Sequence, residues 1–282
     1  AATYTAKFTP NTDTKYVVQR FFSDDEGNYK ETADETKEYK GTTDTNVSVT
    51  EDDKTAPEGY ALDPNAPNVF EGTVLGNGSL VLKVYFAKDE IGENPEDPGD
   101  DIPDKYQILF TYVAESNGSV SGTTYELHTF KDEEGNYVEP TATVPKAQVK
   151  ATPDAGYHID KWTDESSSDL GNGTAPEFAD KSYATNQTFT VSFVENDDVT
   201  IKYEATKGGS VSLDKETVAP ATGNPQGSTA TANAGYSFDG WYLGETKVGT
   251  ELAYKPSKNN DGIYEAATYT AKFTPNTDTK YV

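Results

Sequence analysis

The sequence predicts a mainly β chain of three small modules set in line, beads-on-a-string, and three observations carry that reading. Tyr and Phe are plentiful, at 19 and 12, and short alternating runs bounded by Gly, Asn, Asp and Pro recur along the chain, the pattern of strands joined by tight turns. A string Gly-Tyr-x-apolar-Asp appears three times, at 59–63, 156–160 and 235–239. Residues 1–17 are identical to residues 266–282. An identity of that length marks one period of a tandem array with an overlap into the next copy.

Residues 1–10 then read as the closing strand of a preceding copy's last module, and Ala1 as an internal position of a longer array. The first module spans 11–88. It opens on a strand over 16–22, passes Gly59-Tyr60, and closes over 80–86, which Asn77-Gly78-Ser79 introduces as the apolar second strand of a hairpin. Residues 89–105 form a linker with eight acidic residues, three prolines and, over 89–104, no basic residue. Like-charge repulsion and proline's fixed φ predict an extended, semi-rigid spacer rising about 3.1 Å per residue.

The second module, 106–196, opens over 106–113 and closes over 188–194. The third, 197–275, opens over 200–205 and closes over 268–274, and 276–282 begin the next copy. In the closing strands Phe189, Val191, Phe193 and Tyr269, Ala271, Phe273 occupy alternate positions, which places them on one face toward a core. Asn117-Gly118 and Gly208-Gly209 follow the opening strands, and the positive φ they allow predicts tight hairpins. The second module carries extra sequence, in which Thr174-Ala175-Pro176-Glu177 reads as the capping box of a short helix. Only residues 195–198 join the second and third modules, a link short enough to restrict their relative motion.

Composition excludes several functions. Lys and Arg total 23 against 48 Asp and Glu, a net charge of −25, which repels nucleic-acid phosphates and anionic lipid. No window approaches the roughly 18 apolar residues of a membrane span, so neither nucleic acid nor membrane insertion is expected. Cysteine is absent, and with it disulfides, thiolate metal sites and a Cys nucleophile.

Candidates for chemistry are few. The turns at 24–28 and 132–136 are rich in oxygen, and Asp24, Asp25, Asp132 and Glu134 are the candidate ligands for Ca²⁺, a hard cation taking six to eight oxygens. Neither turn has EF-hand spacing, so ordinary Gly-Asn turns with solvated carboxylates are the favoured account. Trp162 and Trp241 follow the Gly-Tyr strings at one offset; stacking on carbohydrate is one use, but a repeated aromatic in a small β module is expected in the core. Tyr60, Tyr157 and Tyr236 are read the same way, with Gly59, Gly156 and Gly235 as structural glycines. His128 and His158 lack a nearby partner for zinc, and His158 is expected to face outward. Hydrolase and phosphate-loop signatures are missing, so no catalytic activity and no cofactor are expected. A Lys–Asn isopeptide cross-link is open in principle, but no buried Lys–Asn–acid trio is legible.

Several of these strings carry a family resemblance. The first module, with Tyr16-Val17-Val18, Gly27-Asn28-Tyr29, Gly41-Thr42-Thr43, Gly59-Tyr60 and the run from Gly76 to Tyr85, resembles MucBP-type repeats of Gram-positive surface proteins. The second and third, with Gly-Ser-Val-Ser, Ala-Gly-Tyr-x-apolar-Asp-x-Trp and the closing aromatic strand, resemble divergent internalin B-repeats. The resemblance implies compact β-grasp-like modules in long extracellular proteins anchored in the bacterial cell wall. It implies a structural stalk or fibre segment partnered by neighbouring copies of the same repeat, or alternatively an adhesin repeat whose first module binds mucin glycans.

Overall fold

A computed structural model describes residues 1–92, 99–140, 142–143, 147–178 and 181–277, and it is mainly β. The first module comprises β1 (Thr14–Phe22), β2 (Glu35–Gly41), β3 (Asn46–Ser48), a single helical turn α1 (Glu51–Lys54), β4 (Tyr60–Leu62), β5 (Glu71–Thr73) and β6 (Val81–Lys88). β1 and β6 run parallel in the middle of a sheet ordered β2-β1-β6-β4, and β3 pairs with β5 in a small second ladder. Parallel neighbours need a crossover, which here contains β2 to β5 and α1. Alternation along β1 and β6 buries Tyr16, Val18, Leu82, Val84 and Phe86 in one core with Val49 and Val74. Each fully buried side chain of this size is worth roughly 1.5–3 kcal/mol of transfer free energy.

After a 3₁₀ turn (Asp104–Tyr106), the second module comprises β7 (Gln107–Ala114), β8 (Gly118–Gly122), β9 (Tyr125–Thr129), β10 (Ala142–Thr143), β11 (Val149–Pro153), β12 (Tyr157–Thr163), β13 (Ser182–Tyr183) and β14 (Gln187–Glu195). Its main sheet is ordered β12-β14-β7-β9, with β14 parallel to β7. The third comprises β15 (Val199–Ala205), β16 (Gly209–Val211), β17 (Lys215–Val218), β18 (Ser228–Ala232), β19 (Tyr236–Leu243), β20 (Thr246–Gly249), β21 (Ala253–Tyr254) and β22 (Ala267–Pro275). Its main sheet is ordered β17-β15-β22-β19-β20, with β15 parallel to β22. Opening and closing strands thus lie side by side in all three modules. In the second and third, short extra sheets (β8 with β11; β16, β18 and β21) accompany the main sheet, as the β3–β5 ladder does in the first. Each module has its own buried cluster, so the chain is a linear array and not one globule.

Four expectations change. The Gly-rich corners after β7 and β15 are not hairpins, because β8 and β16 leave the main sheet to pair with β11 and β18. Positive φ is supplied by the first residue only, Asn117 at 74° and Gly208 at 108°. The second glycine serves a different need: a Cβ on Gly118 would stand 2.3 Å from the Phe193 ring, and one on Gly209 2.2 Å from the Phe273 ring. In the first module, 80–86 is likewise not half of a hairpin. β6 pairs with β1 and β4, and the preceding β5 turns away to β3, leaving one bridge, Val69 to Lys83.

Thr174–Glu177 forms no helix, since the Thr174 carbonyl accepts from the Ala151 amide at 2.7 Å and the Glu177 amide donates to Leu170. The capping box that does form is at Thr50–Asp53, on α1. Finally, the described part of the acidic linker is not extended. Asp89 accepts from the amides of Asp100 and Asp101 at 3.1 and 3.0 Å, and Asp104 from those of Glu90 and Ile91, both at 3.1 Å. The linker's ends are clasped together; its residues 93–98 lie outside the described residues.

Candidate functional site

In a linear array the positions that decide shape are the joints between modules, and the Gly-Tyr string builds both. At the first joint its fifth residue, Asp63, follows β4 and is fully buried. Tyr29 and Tyr106 donate their hydroxyls to its two oxygens, each at 2.7 Å, and Lys105 donates its ammonium to Oδ2. Lys105 lies over both rings, 5.5 Å from the Tyr29 centroid and 5.0 Å from that of Tyr106. Asp63 and Tyr29 belong to the first module, while Lys105 and Tyr106 lead into the second. The Asn65 side chain adds a bond to the Tyr137 carbonyl at 2.6 Å, and Tyr137 stacks on Tyr106 at 5.6 Å.

Burial alone would raise the carboxyl of Asp63. Bonds from Lys105, Tyr106 and Tyr29 outweigh it and hold the group below the usual carboxylate range. Burial, then bonding to that carboxylate, pushes both tyrosine hydroxyls upward, so they stay protonated donors. The clasp behaves oppositely. Burial raises Asp89 and Asp104, and neighbouring carboxylates (Asp100 for both, Asp104 for Asp89, Glu90 for Asp104) add to it against the amide bonds.

At the second joint only residues 196–198 separate β14 from β15. The Glu195 carboxylate accepts from the amides of Ala221 and Thr222 at 2.6 and 2.8 Å and from the Thr222 hydroxyl at 2.7 Å. Asn196 donates its amide to the Gly156 carbonyl at 2.8 Å. Gly156 has φ 84°, and a Cβ there would meet Ala221 and Ile263 of the third module at 3.0 Å. Turn and joint both require the glycine.

Trp162 and Trp241 are fully buried. Each indole donates to a carbonyl eleven residues on, Gly173 and Leu252, at 3.1 Å, and each meets an opening-strand tyrosine edge-on, Tyr112 at 6.3 Å and Tyr203 at 5.9 Å. The three string tyrosines are half-buried: Tyr60 and Tyr236 pack against their modules' cores, and Tyr157 lies outside its module's core cluster. In the second and third modules the string's Asp, Asp160 and Asp239, is the extra residue of a β-bulge. Gly59 and Gly235 hold the positive φ of the turns before β4 and β19, at 76° and 86°.

The calcium candidates serve their own turns. Asp24 accepts from the amides of Glu26 and Asn28, and Asp132 from the amide and side chain of Asn136, while Asp25 and Glu134 are exposed. No group of three or more metal-ligating side chains occurs among the described residues. His158 is exposed and bonds Asn196 at 2.8 Å, and His128 packs on Phe110. Lys255 donates to Asn224 at 2.6 Å, but both are exposed, unlike the water-free setting a spontaneous cross-link needs. No described helix is long and apolar enough to cross a membrane. Sequence reasoning missed Asp63, Lys105 and Glu195; only Asp63, the fifth letter of its string, carried a signal.

The family model described as the divergent InlB B-repeat domain matches residues 108–197 and 199–277, more than half of the chain. The first module lies outside the match. No curated protein matches the chain.

Proposed function

Since the chain belongs to the divergent InlB B-repeat domain family, we propose that it is a spacer: a stalk or fibre segment of a repetitive extracellular bacterial protein, holding other domains away from a Gram-positive cell wall. The supporting observation is the pair of joints. Asp63 with Lys105 and Glu195 with Thr222 fasten neighbouring modules by bonds between side chains of both, so each module directs the next. The strongly acidic surface favours solubility and mutual repulsion of neighbouring stalks. In arrays of this kind stability is close to a sum of module and neighbour terms, so length can vary without loss of fold. No catalytic step is assigned to any residue.

The test uses the whole chain. Small-angle X-ray scattering is expected to give an elongated particle one module wide, and a mucin-glycan array is expected to retain none of it. Saturable glycan binding, lost when exposed aromatics of the first module are replaced, would overturn the spacer reading in favour of an adhesin repeat.

A further inference from the structure

How a module answers tension is set by where the chain enters and leaves it. In all three modules the opening and closing strands are parallel neighbours, over six residue pairs for β1 with β6 and five each for β7 with β14 and β15 with β22. Parallel neighbours point the same way, so the chain comes in at one end of the module and goes out at the other. A pull along the chain then slides the two strands past each other and stretches every bond of the ladder at once. A hairpin, with both its ends on one side, would peel bond by bond.

The segment between the first two modules is fastened differently. Two carboxylates, one near each end of it, hold amides at the opposite end: Asp89 those of Asp100 and Asp101, Asp104 those of Glu90 and Ile91. The Asp89 amide is anchored on the Gly59 carbonyl of the first module at 3.0 Å, and Gln107, where the second begins, donates its side-chain amide to Asp100 at 2.8 Å. The two ends approach so closely that a Cβ on Gly99 would stand 2.8 Å from Asp89. These bonds, and those of Lys105 and Tyr106 to Asp63, are individual side-chain contacts in series with the ladders. In series, the weakest fastening yields first. Fully extended, residues 89–104 reach about 55 Å, whereas residues 196–198 at the second joint reach only about 10 Å.

We propose that the chain is a tether that carries tension, built of three modules loaded in shear and a reserve of length, residues 89–104, that the clasp releases before any module unfolds. Opening the clasp lengthens the chain by roughly 45–50 Å while the three cores stay intact. Its bonds are non-covalent, so it closes again when the pull stops. This deepens the spacer reading and rests on it only for its setting. Glycan binding by the first module would overturn the spacer and leave the response to force unchanged.

The test is single-molecule force spectroscopy on the whole chain, which has no cysteine of its own, held through Ala1→Cys and Thr277→Cys. A first step of roughly 45–50 Å is expected, followed at higher force by three module steps of more than about 200 Å each. Asp89→Ala with Asp104→Ala should lower the force of the first step and leave the other three as they were. Inserting ten Gly and Ser residues after Pro95 should lengthen the first step by roughly 35 Å at unchanged force, which a loss of module stability would not imitate. Held instead through Lys15→Cys and Ser79→Cys, at the same end of β1 and β6, the first module should open at a several-fold lower force. Long steps with no short one before them, or a short step that the variants leave unchanged, would overturn the reserve. Equal forces in the two pulling directions would overturn the shear loading.

Discussion

Lys105, at the start of the second module, donates its ammonium to the fully buried carboxylate of Asp63 in the first, across a pocket walled by Tyr29 and Tyr106. One charge pair thereby ties the first module to the segment that enters the second. Removing either member strands the other, and the cost of stranding a buried charge exceeds the worth of an exposed pair.

Lys105→Ala is therefore expected to lower the stability of the first module by about 3–5 kcal/mol, because Asp63 stays buried and ionised with only two hydroxyl donors. Asp63→Asn should cost less, since both tyrosines keep an acceptor or donor to face. Denaturant unfolding monitored on the first module checks both. Equal, near-zero effects would show that the pair is not buried in solution.

The joint should also respond to acid in a set direction. Asp63 is held below its unfolded value of about 3.9, so its stabilisation is present above that pH and is lost as pH falls through the folded-state value. Wild-type stability of the first module should fall faster below about pH 4 than that of Asp63→Asn. The clasp carries the opposite sign. Asp89 and Asp104 are raised, so their contribution is full below about pH 3.9 and declines as pH rises through their folded-state values. Asp104→Asn keeps an oxygen for the amides of Glu90 and Ile91 and should raise the thermal midpoint at neutral pH, with little gain at pH 4. Thermal scans across that range read both signs.

Trp162→Phe and Trp241→Phe each remove the indole donor from a carbonyl, that of Gly173 or Leu252, the latter still accepting from the Ala230 amide. A loss of about 0.5–1.5 kcal/mol for each hydrogen bond is expected, confined to the second module for one and to the third for the other. Replacement by Ala should cost about 3–5 kcal/mol. With separate cores the two losses should simply add, which calorimetry of the double variant tests.

Gly118→Ala drives a methyl into the Phe193 ring and should cost about 1–3 kcal/mol. Phe193→Leu should absorb part of that cost, so the pair is expected to be non-additive in a double-mutant cycle. Gly209 with Phe273 should behave alike.

Much of this was legible in sequence, and the failures have physical causes. The modules announced themselves because the Trp162 and Trp241 offsets and the alternation of Phe189, Val191 and Phe193 are local patterns. Asp63 did not, because it is one carboxylate among 48 and its partner Lys105 lies 42 residues away. The extra sheets were missed because they join strands far apart in sequence, such as β8 with β11, and because β16 and β21 are too short to show a period. Repulsion among linker carboxylates predicted an extended spacer, but backbone amides at Asp100, Asp101, Glu90 and Ile91 bind Asp89 and Asp104 individually. The capping box was sought with Glu at its third position, whereas α1 uses Asp53.

Backbone amide NMR relaxation on the whole chain tests the central claim most directly. If the Asp63–Lys105 and Glu195–Thr222 joints hold three separately cored modules in line, all three should report one shared, strongly anisotropic tumbling tensor. In Lys105→Ala the first module should decouple from the other two. Three independent isotropic tumbling times in the wild type, or a single near-spherical tensor, would contradict it.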